Sequence, residues 1–287
     1  MANTNLTIDM ITLECLRLAH EKATFLGTIN RQFDDSFGRS DGKIGDTLRI
    51  RLPSQYTRRT GSRVMNVQDS VQQNTSVTSA TQDGVDMRFN SRELSLDLEN
   101  FSKLHLEPAM ATLVSGVEGD VLVGCTKATY NTAGTAGTAI TNLTVPGAAR
   151  AKLNQYLAPK DSNRNIQMDS VAMGTLVNGL KGLFQDSPQI KEQYREGLIG
   201  RTAMADYYEN ERVWTMVDGS DMAGTLNTYT MVEGETGGFA SQFTGLTGVA
   251  IGQVFTIAGA YACHPETKAA YPHLQQFTVT ATVTSVT

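Results

Sequence analysis

The sequence predicts an α+β protein in which helical and strand segments occupy different parts of the chain. Apolar residues recur at helical spacing in residues 7–25 and again after Pro108. Apolar and polar residues alternate in residues 47–52 and in much of the chain after Trp214, as they do in half-buried strands. At 287 residues, the chain is long enough for two or three domains.

The first element is an amphipathic helix predicted over residues 7–25. Asp9 lies in its first turn, where a carboxylate is favourable. The apolar residues at helical spacing are Ile8, Ile11, Cys15, Leu18 and Ala19. Because a single amphipathic helix is marginal in water, it needs a partner surface to be stable.

A long region with little predicted structure follows, at residues 38–82. It is rich in Arg at its start and in Ser, Thr and Gln later, and residues 47–52 form its one convincing strand. That strand opens the stretch GDTLRIRLPSQYTRRTG, residues 45–61. Loops of this length are uncommon in compact domains, and they are usually functional or disordered.

Two short strands are predicted behind this region, at residues 85–89 and 93–98. They meet near Asn90 and Ser91, which favour a turn. The two strands would form the returning base of the long loop.

The longest predicted helix begins at Pro108, which suits the first turn of a helix. Its apolar stripe consists of Met110, Leu113, Val114, Val117, Val121, Cys125 and Ala128. Gly134 and Gly137 then mark a loop in NTAGTAGTAITN.

Residues 146–217 mix helical and strand patterns. A short helix is predicted at residues 147–157 and a strand at residues 165–174. Thr175 is predicted to cap the next helix. The apolar residues of that helix are Leu176, Leu180, Leu183 and Phe184.

Strand patterns dominate the rest of the chain. After Trp214 glycine becomes frequent, and VFTIAGAYA and QFTVTATVTSV alternate as strands do. We predict a domain boundary near residues 218–223. The last alternation continues to Thr287 without a turn, so we expect the sequence to stop inside a β-unit.

Charge and composition exclude several classes of protein. A net charge of −5 argues against a protein whose main task is to coat nucleic acid, because such binding needs Lys and Arg. No signal peptide or uncharged apolar run near membrane-spanning length is evident, so we expect a soluble protein with no membrane association, made in the cytosol. The charged fraction of 18% gives a modest preference for a protein with large interfaces. Cys15, Cys125 and Cys263 lack paired spacing and are predicted to be reduced and packed.

No motif predicts a metal site. His264, Glu266 and His273 are the one close group of potential ligands, but Pro265 enforces an extended turn and the spacing fits no zinc pattern. The stretch DGSDMAG from Asp218 resembles a calcium loop without its third ligand or its closing glutamate. Both are predicted to be ordinary loops.

No motif predicts catalysis or cofactor binding either. Gly134 and Gly137 are not followed by the Lys-Ser/Thr pair of a phosphate-binding loop. Cys15 and His20 are five residues apart, so they do not share a helical face and do not suggest a reactive thiol. We expect a protein that is not an enzyme and has no cofactor.

The order of these segments resembles the major coat proteins of tailed phages with the Hong Kong 97-like shell fold. Among these it is most similar to the P-twenty-two-like group, which carries an inserted β-domain. The resemblance covers essentially the whole chain and rests on order and spacing, since no single motif is an invariant signature. The matching segments are GDTLRIRLPSQYTRRTG with VDMRFNSRELSLDL, the helix from Pro108, MDSVAMG with YREGLIGRTAMADYYENERV, and GQVFTIAGAYACHPETK with LQQFTVTA, the last being the most specific.

The resemblance implies a domain for each segment. In such proteins the E-loop is laid over the neighbouring subunit, and the N-arm also contacts neighbours. The implied E-loop contact residues are Arg49, Arg51, Tyr56, Arg58 and Arg59, and the implied N-arm contact residues are Ile8, Ile11 and Leu18. The implied domains are the N-arm (1–37), the E-loop (38–91), the spine helix and peripheral domain (92–132), a peripheral and axial part (133–217) and a β-rich insertion domain, incomplete here (218–287).

The function implied by the resemblance is structural. Pentamers and hexamers of the chain would form the icosahedral capsid of a virion, assembled in the host cytoplasm with scaffolding and portal proteins and in weak contact with the packaged DNA. A bacterial encapsulin shell is the alternative, and a hydrolase that uses His264, Glu266 and His273 is a remote one. Two departures from the family are that Met204 stands where relatives usually have Gly-Phe, and that the sequence ends before their last segment, as the first two-thirds of a longer protein would.

Overall fold

The structure, a computed structural model, confirms the α+β class. It describes residues 8–29, 47–54, 56, 58–61, 65, 67–69, 72–78, 80–88, 101–180, 201–202, 204–217, 225–228, 242–244 and 249–281. The helices are α1 (Ile8–Lys22), α2 (Phe25–Thr28), α3 (Glu107–Ala128), α4 (Thr144–Gln155) and α5 (Ser170–Leu180). The strands are β1 (Thr47–Arg51), β2 (Asn74–Thr78), β3 (Asn165–Met168), β4 (Arg201–Thr202), β5 (Ala205–Glu209), β6 (Thr225–Thr228), β7 (Gln242–Thr244), β8 (Val254–Cys263) and β9 (Ala270–Thr278). Among the described residues, these strands form sheets of only two or three strands.

Helix α1 is the N-terminal helix predicted from the apolar spacing. Leu18 on its inner face is 4% exposed and packs with Phe101 and Leu106, which are both fully buried. On its outer face Arg17 pairs with two glutamates of the same helix, one turn away in each direction. The partner surface that the amphipathic pattern requires is therefore supplied by the same chain.

Strand β1 matches the predicted strand and pairs antiparallel with β2, Thr47 lying opposite Thr78. The predicted returning strand at residues 85–89 is wrong, because residues 85–88 form no strand and are exposed. The backbone of β1 instead pairs through hydrogen bonds with β2, whose sequence is NTSVT. Residue 89, the turn and the predicted strand at residues 93–98 lie outside the described residues.

Helix α3 is the predicted long helix, and it begins earlier than Pro108. A π-helical turn, Ser102–Leu106, leads directly into it. Its most buried line passes through Val114, Glu118 and Leu122, which are one turn apart.

The cysteines are less buried than predicted. Cys125 and Cys263 are exposed, and Cys15 is partly buried. The prediction that Cys125 and Ala128 continue the packed stripe of α3 is wrong, because both side chains are exposed at the last turns of the helix.

Helix α4 covers most of the predicted helix at residues 147–157, and it ends in a Schellman motif. The Ala158 amide donates to the Leu153 carbonyl at 2.9 Å, and the Leu157 amide donates to the Asn154 carbonyl at 3.2 Å. Leu157 has φ 60°, the left-handed conformation that favours glycine.

The strand predicted at residues 165–174 is too long. Strand β3 ends at Met168, and α5 begins at Ser170. Thr175 is not the predicted cap but lies inside α5, where its hydroxyl donates to the Ala172 carbonyl at 2.8 Å. Residues 170–174 form a helix rather than a strand because helical spacing buries Met173, Leu176 and Leu180 on one face. Leu183 and Phe184 lie outside the described residues.

Strand β5 lies between β3 and β4 in a three-stranded sheet. Thr202 of β4 pairs with Ala205 of β5, so the connection is a two-residue turn. Met204 in this turn has φ 62°. A methionine therefore holds a conformation for which glycine is the favoured residue.

Strands β8 and β9 form a long hairpin, of which β8 matches the predicted strand VFTIAGAYA, whereas β9 begins at Ala270, before the predicted strand QFTVTATVTSV. Phe255 and Phe277 stack across it with ring centroids 5.7 Å apart. Before β8, Gly252 has φ 94°, and a Cβ there would lie 3.0 Å from Cα of Lys127. The hairpin ends at Thr278, earlier than the alternation predicts.

The chain divides into two compact units. The first consists of Met1–Val121, Asn165–Gln167 and Tyr208–Arg212. The second consists of Leu122–Arg164, Met168–Tyr207 and Val213–Thr287. The first unit has its core at the junction of α1 with the start of α3. In the second unit, the buried side chains of α5 form part of the core.

Candidate functional site

The β1–β2 hairpin has one basic, polar face. Arg49 and Arg51 lie on the same side of β1 and are exposed. The register places Ser76 and Asn74 opposite them on β2. Residues of one strand that are two apart share a face, so the basic and hydroxyl or amide groups are grouped there.

The other face of the hairpin is apolar and incompletely covered. Leu48 and Ile50 are partly buried, whereas Val77, paired with Leu48, is 55% exposed. Every residue of β2 is exposed. A two-stranded hairpin of this kind is marginally stable in water unless another surface packs on it.

The three other predicted E-loop residues lie beyond β1. Tyr56 is 60% exposed, and Arg58 and Arg59 are exposed as well. Residues 47–61 contain four Arg and no Asp or Glu, while the whole chain carries −5. The residues outside 47–61 therefore have a net charge more negative than −5. A second copy of the chain would consequently bring acidic groups to this basic segment.

The predicted N-arm contacts are only partly on the surface. Leu18 is buried in its own chain, and Ile11 packs against the same cluster; the side chain of Ile8 lies outside the described residues. Two other apolar residues of α1 face outward, with Leu13 66% and Leu16 55% exposed. The contact of these residues with a neighbouring subunit stays a prediction.

A fully buried carboxylate on α3 was not predicted. One oxygen of Glu118 accepts the Phe25 amide at 2.8 Å and the Leu26 amide at 3.2 Å. Its other oxygen accepts a hydrogen bond from Arg212 at 2.6 Å. Arg212 also donates to the Ser115 hydroxyl at 3.0 Å. One side chain thus joins α2, α3 and the segment after β5.

Arg212 borders a shallow open depression on α3. The lining residues are Ala111, Thr112, Ser115, Gly116 and Arg212.

The sequence did contain a signal for Glu118, since an acidic residue one turn from both Val114 and Leu122 interrupts an apolar face. Its partners could not be read from the sequence, because they lie more than ninety residues away.

Two further polar contacts attach α1 to the start of α3. Lys22 donates to Glu107 at 2.8 Å, and this hydrogen bond lowers the pKa of Glu107 and raises that of Lys22. The Ser102 hydroxyl donates to Glu14 at 2.8 Å. Hydrogen bonds, first from Arg17 and then from Ser102, lower the pKa of Glu14 to about 2.

Two of the candidate metal ligands, His264 and Glu266, lie in a turn, and the third, His273, lies in β9. Nδ1 of His264 accepts the Glu266 and Thr267 amides, each at 3.2 Å, and so closes the tip of the β8–β9 hairpin. The ring of His273 stacks on Tyr271 with centroids 5.4 Å apart. Within the described residues, no group of three or more His, Cys, Asp or Glu side chains is arranged to hold a metal ion. Asp218 lies outside those residues.

One lysine in the second unit has a perturbed environment. Lys152 of α4 donates to the Thr132 carbonyl and to the side-chain oxygen of Gln276. Burial lowers the pKa of Lys152. Since Gln276 also accepts the Thr132 amide at 3.1 Å, the group ties α4, the loop after α3 and β9 together.

By length and composition alone, Ser102–Ala128 could cross a membrane. Only 17% of its most apolar window is buried in the structure. One such helix is weak evidence for a membrane span. Glu118, within it, is ion-paired with Arg212.

Two comparisons with known proteins complete the description of the site. No protein-family model matches the chain. No curated protein matches it at a significant level.

Proposed function

We propose that the chain is a structural subunit that self-assembles into an icosahedral phage capsid, with the Hong Kong 97-like fold. In this proposal α3 is the spine helix, the region around β1 and β2 is the E-loop, and β6–β9 belong to the inserted β-domain. The chain acts by binding further copies of itself, without a catalytic step.

The observation that carries the proposal is the β1–β2 hairpin. Its apolar face includes Val77 at 55% exposure, and its opposite face presents Arg49 and Arg51 to solvent. Among the described residues, β1 and β2 pair only with each other, and an exposed hairpin of this kind is stabilised when another chain covers it. The acidic balance of the remaining chain suits a second copy as that partner.

A second supporting observation is the amount of uncovered apolar surface. Within the described residues, exposed large apolar side chains outnumber the buried ones. They occur on α1, beyond β1 and on the later strands, for example at Leu16, Val67 and Tyr261. An assembly that covers such side chains would remove this apolar surface from water.

The first experiment is electron microscopy of the purified protein, combined with sedimentation. We expect shells or large aberrant assemblies, and a less stable protein where copies are kept apart. A highly stable monomer that never associates at high concentration would overturn the proposal.

A charge reversal tests the hairpin region itself. Arg58→Glu/Arg59→Glu should leave folding almost unchanged, because exposed charges contribute well below about 1 kcal/mol per pair. Assembly should fall, since the same repulsion recurs at every subunit contact. The matched control is Lys160→Glu/Lys268→Glu, which makes the same charge change at two exposed positions elsewhere. Equal shell yield for both variants, measured by sedimentation at physiological salt, would show that residues 58 and 59 do not form the contact.

A further inference from the structure

The turn that joins β8 to β9 is capped by a histidine side chain. Nδ1 of His264 accepts hydrogen bonds from the backbone amides of Glu266 and Thr267, each at 3.2 Å. Amides two and three residues along a turn are usually bound by a short side chain such as Asn or Ser. An imidazole in this place differs from those side chains, because it changes its charge near neutral pH.

The two hydrogen bonds determine the protonation state of the cap. A ring nitrogen accepts a hydrogen bond only when it carries no proton. Because Nδ1 of His264 faces two N–H donors, the closed turn requires the neutral imidazole, with its proton on Nε2. A second proton binds at Nδ1. It removes the acceptor from both amides and places a third N–H donor against them, so both hydrogen bonds are lost.

The turn contains a strained residue that this cap helps to hold. Lys268 has φ 56°, a left-handed conformation that is unfavourable for a residue with a Cβ. The Lys268 amide donates to the His264 carbonyl, and the His264 amide donates to the Ala269 carbonyl, both at 2.9 Å. These two backbone hydrogen bonds do not depend on pH, whereas the imidazole cap does.

Tyr271 of β9 connects the cap to a second imidazole and to α4. The centroid of its ring is 6.2 Å from that of His264 and 5.4 Å from that of His273, and its hydroxyl donates to the Gln155 carbonyl at 3.4 Å. The titratable groups of the turn and of the elements packed against it are Cys263, Glu266, Lys268, Tyr271, His273 and, on α4, Tyr156.

The surrounding groups modify the effect of acid without replacing the lost acceptor. Of these residue types, histidine is the one whose charge changes between about pH 5 and 8. Two imidazoles that contact one tyrosine ring therefore become cationic in the same range and repel each other. A cation–π contact with Tyr271 offsets part of this repulsion, but an aromatic face does not restore the two amide hydrogen bonds.

We propose that the β8–β9 turn is a pH-sensitive device, which the neutral imidazole of His264 closes and a second proton on that imidazole opens. Opening frees the amides of residues 266 and 267 and loosens the turn around Lys268. The pairing of Val254 with Thr278 lies at the other end of the hairpin and is retained. This inference does not depend on the proposed assembly, because all the groups belong to one chain.

Hydrogen exchange at about pH 7.5 and about pH 5, followed by mass spectrometry with residue-level fragmentation, tests the device. After correction for intrinsic rates, the protection of the Glu266 and Thr267 amides should fall about two- to tenfold at the lower pH, as expected for the loss of one hydrogen bond each. The amides of residues 254–256, in the paired part of β8, are the internal reference. An equal loss at the reference amides, or no loss in the turn, would overturn the proposal.

Two variants separate His264 from other effects of acid. An asparagine oxygen accepts the same amides and does not titrate, so in His264→Asn the turn should lose its pH dependence. His273→Asn is the matched control, because it removes the other imidazole on Tyr271 and leaves the cap in place; its turn should still open in acid. A pH dependence that persists in His264→Asn and disappears in His273→Asn would overturn the role of His264.

The ¹⁵N spectrum of the histidine rings tests the cap without relying on the folding of a variant. At about pH 7.5, His264 should carry its proton on Nε2, with Nδ1 unprotonated. The chain has four histidines, and comparison with His264→Asn identifies the signal. A proton on Nδ1 at this pH would overturn the proposal, because that nitrogen could not accept the two amides. Solid-state spectra give the same measurement for an assembled form.

Discussion

Two glycines of α5 should respond in opposite ways to replacement by alanine. A Cβ on Gly179 would lie 1.6 Å from the Thr141 carbonyl oxygen and 2.7 Å from its carbon, whereas a Cβ on Gly174 would meet nothing within 4 Å. The Gly179→Ala contact involves backbone, so α5 or the loop must move by more than an ångström. Such overpacking costs about 3 kcal/mol, and the helix preference for alanine returns about 1 kcal/mol.

The expected net effect of Gly179→Ala is therefore a loss of about 2 kcal/mol in the free energy of unfolding, against a gain of about 1 kcal/mol for Gly174→Ala. Urea denaturation followed by circular dichroism measures both. In a chain of this size each kcal/mol corresponds to about 2–4 °C in Tm, so thermal melts should also separate the variants. A Gly179→Ala protein as stable as Gly174→Ala would refute the close approach of α5 to Thr141.

The remaining predictions concern strained turns, the buried carboxylate and acid stability. Met204→Gly and Leu157→Gly should each raise the free energy of unfolding by about 1 kcal/mol, because both residues hold a left-handed backbone; a loss in chemical denaturation would contradict that conformation. Glu118→Ala should lower it by about 3–5 kcal/mol, since a guanidinium loses its buried partner, whereas Asp120→Ala should change it by less than about 0.5 kcal/mol. Similar losses for both in the same assay would contradict the burial of the ion pair. The pKa of Glu14 is lowered from 4.5 to about 2 by hydrogen bonds, first from an arginine of its own helix and then from a serine. A lowered carboxyl pKa stabilises the fold above the unfolded value, so this contribution is complete above pH 4.5 and is lost as the pH falls towards 2. Acid unfolding should show a smaller pH dependence in this window for Glu14→Gln, and an unchanged curve would count against the hydrogen bonds to Glu14.

Local sequence patterns predicted some of the elements of this protein but none of the contacts that Glu118 makes from α3. Helical spacing predicted α3 and its apolar character, and strand alternation predicted β1 and β8. The partner of β1 was missed, because pairing is chosen among all segments that can reach it, and β2 carries only a weak alternating pattern. The roles of Glu118 and Arg212 were missed for the same reason, since their hydrogen bonds join segments far apart in the chain.

The sequence by itself determined the α+β class, the positions of α1, β1, α3, α4 and β8, and the basic character of residues 47–61. These follow from local spacing and composition, which act within a few residues. Only the tertiary structure decided that Leu18 is buried in its own chain, that Leu157 and Met204 take left-handed conformations, and that a carboxylate on α3 receives the amides of α2. Burial, backbone strain and the hydrogen bonds of a buried charge depend on which distant groups pack together, and no local pattern contains that information.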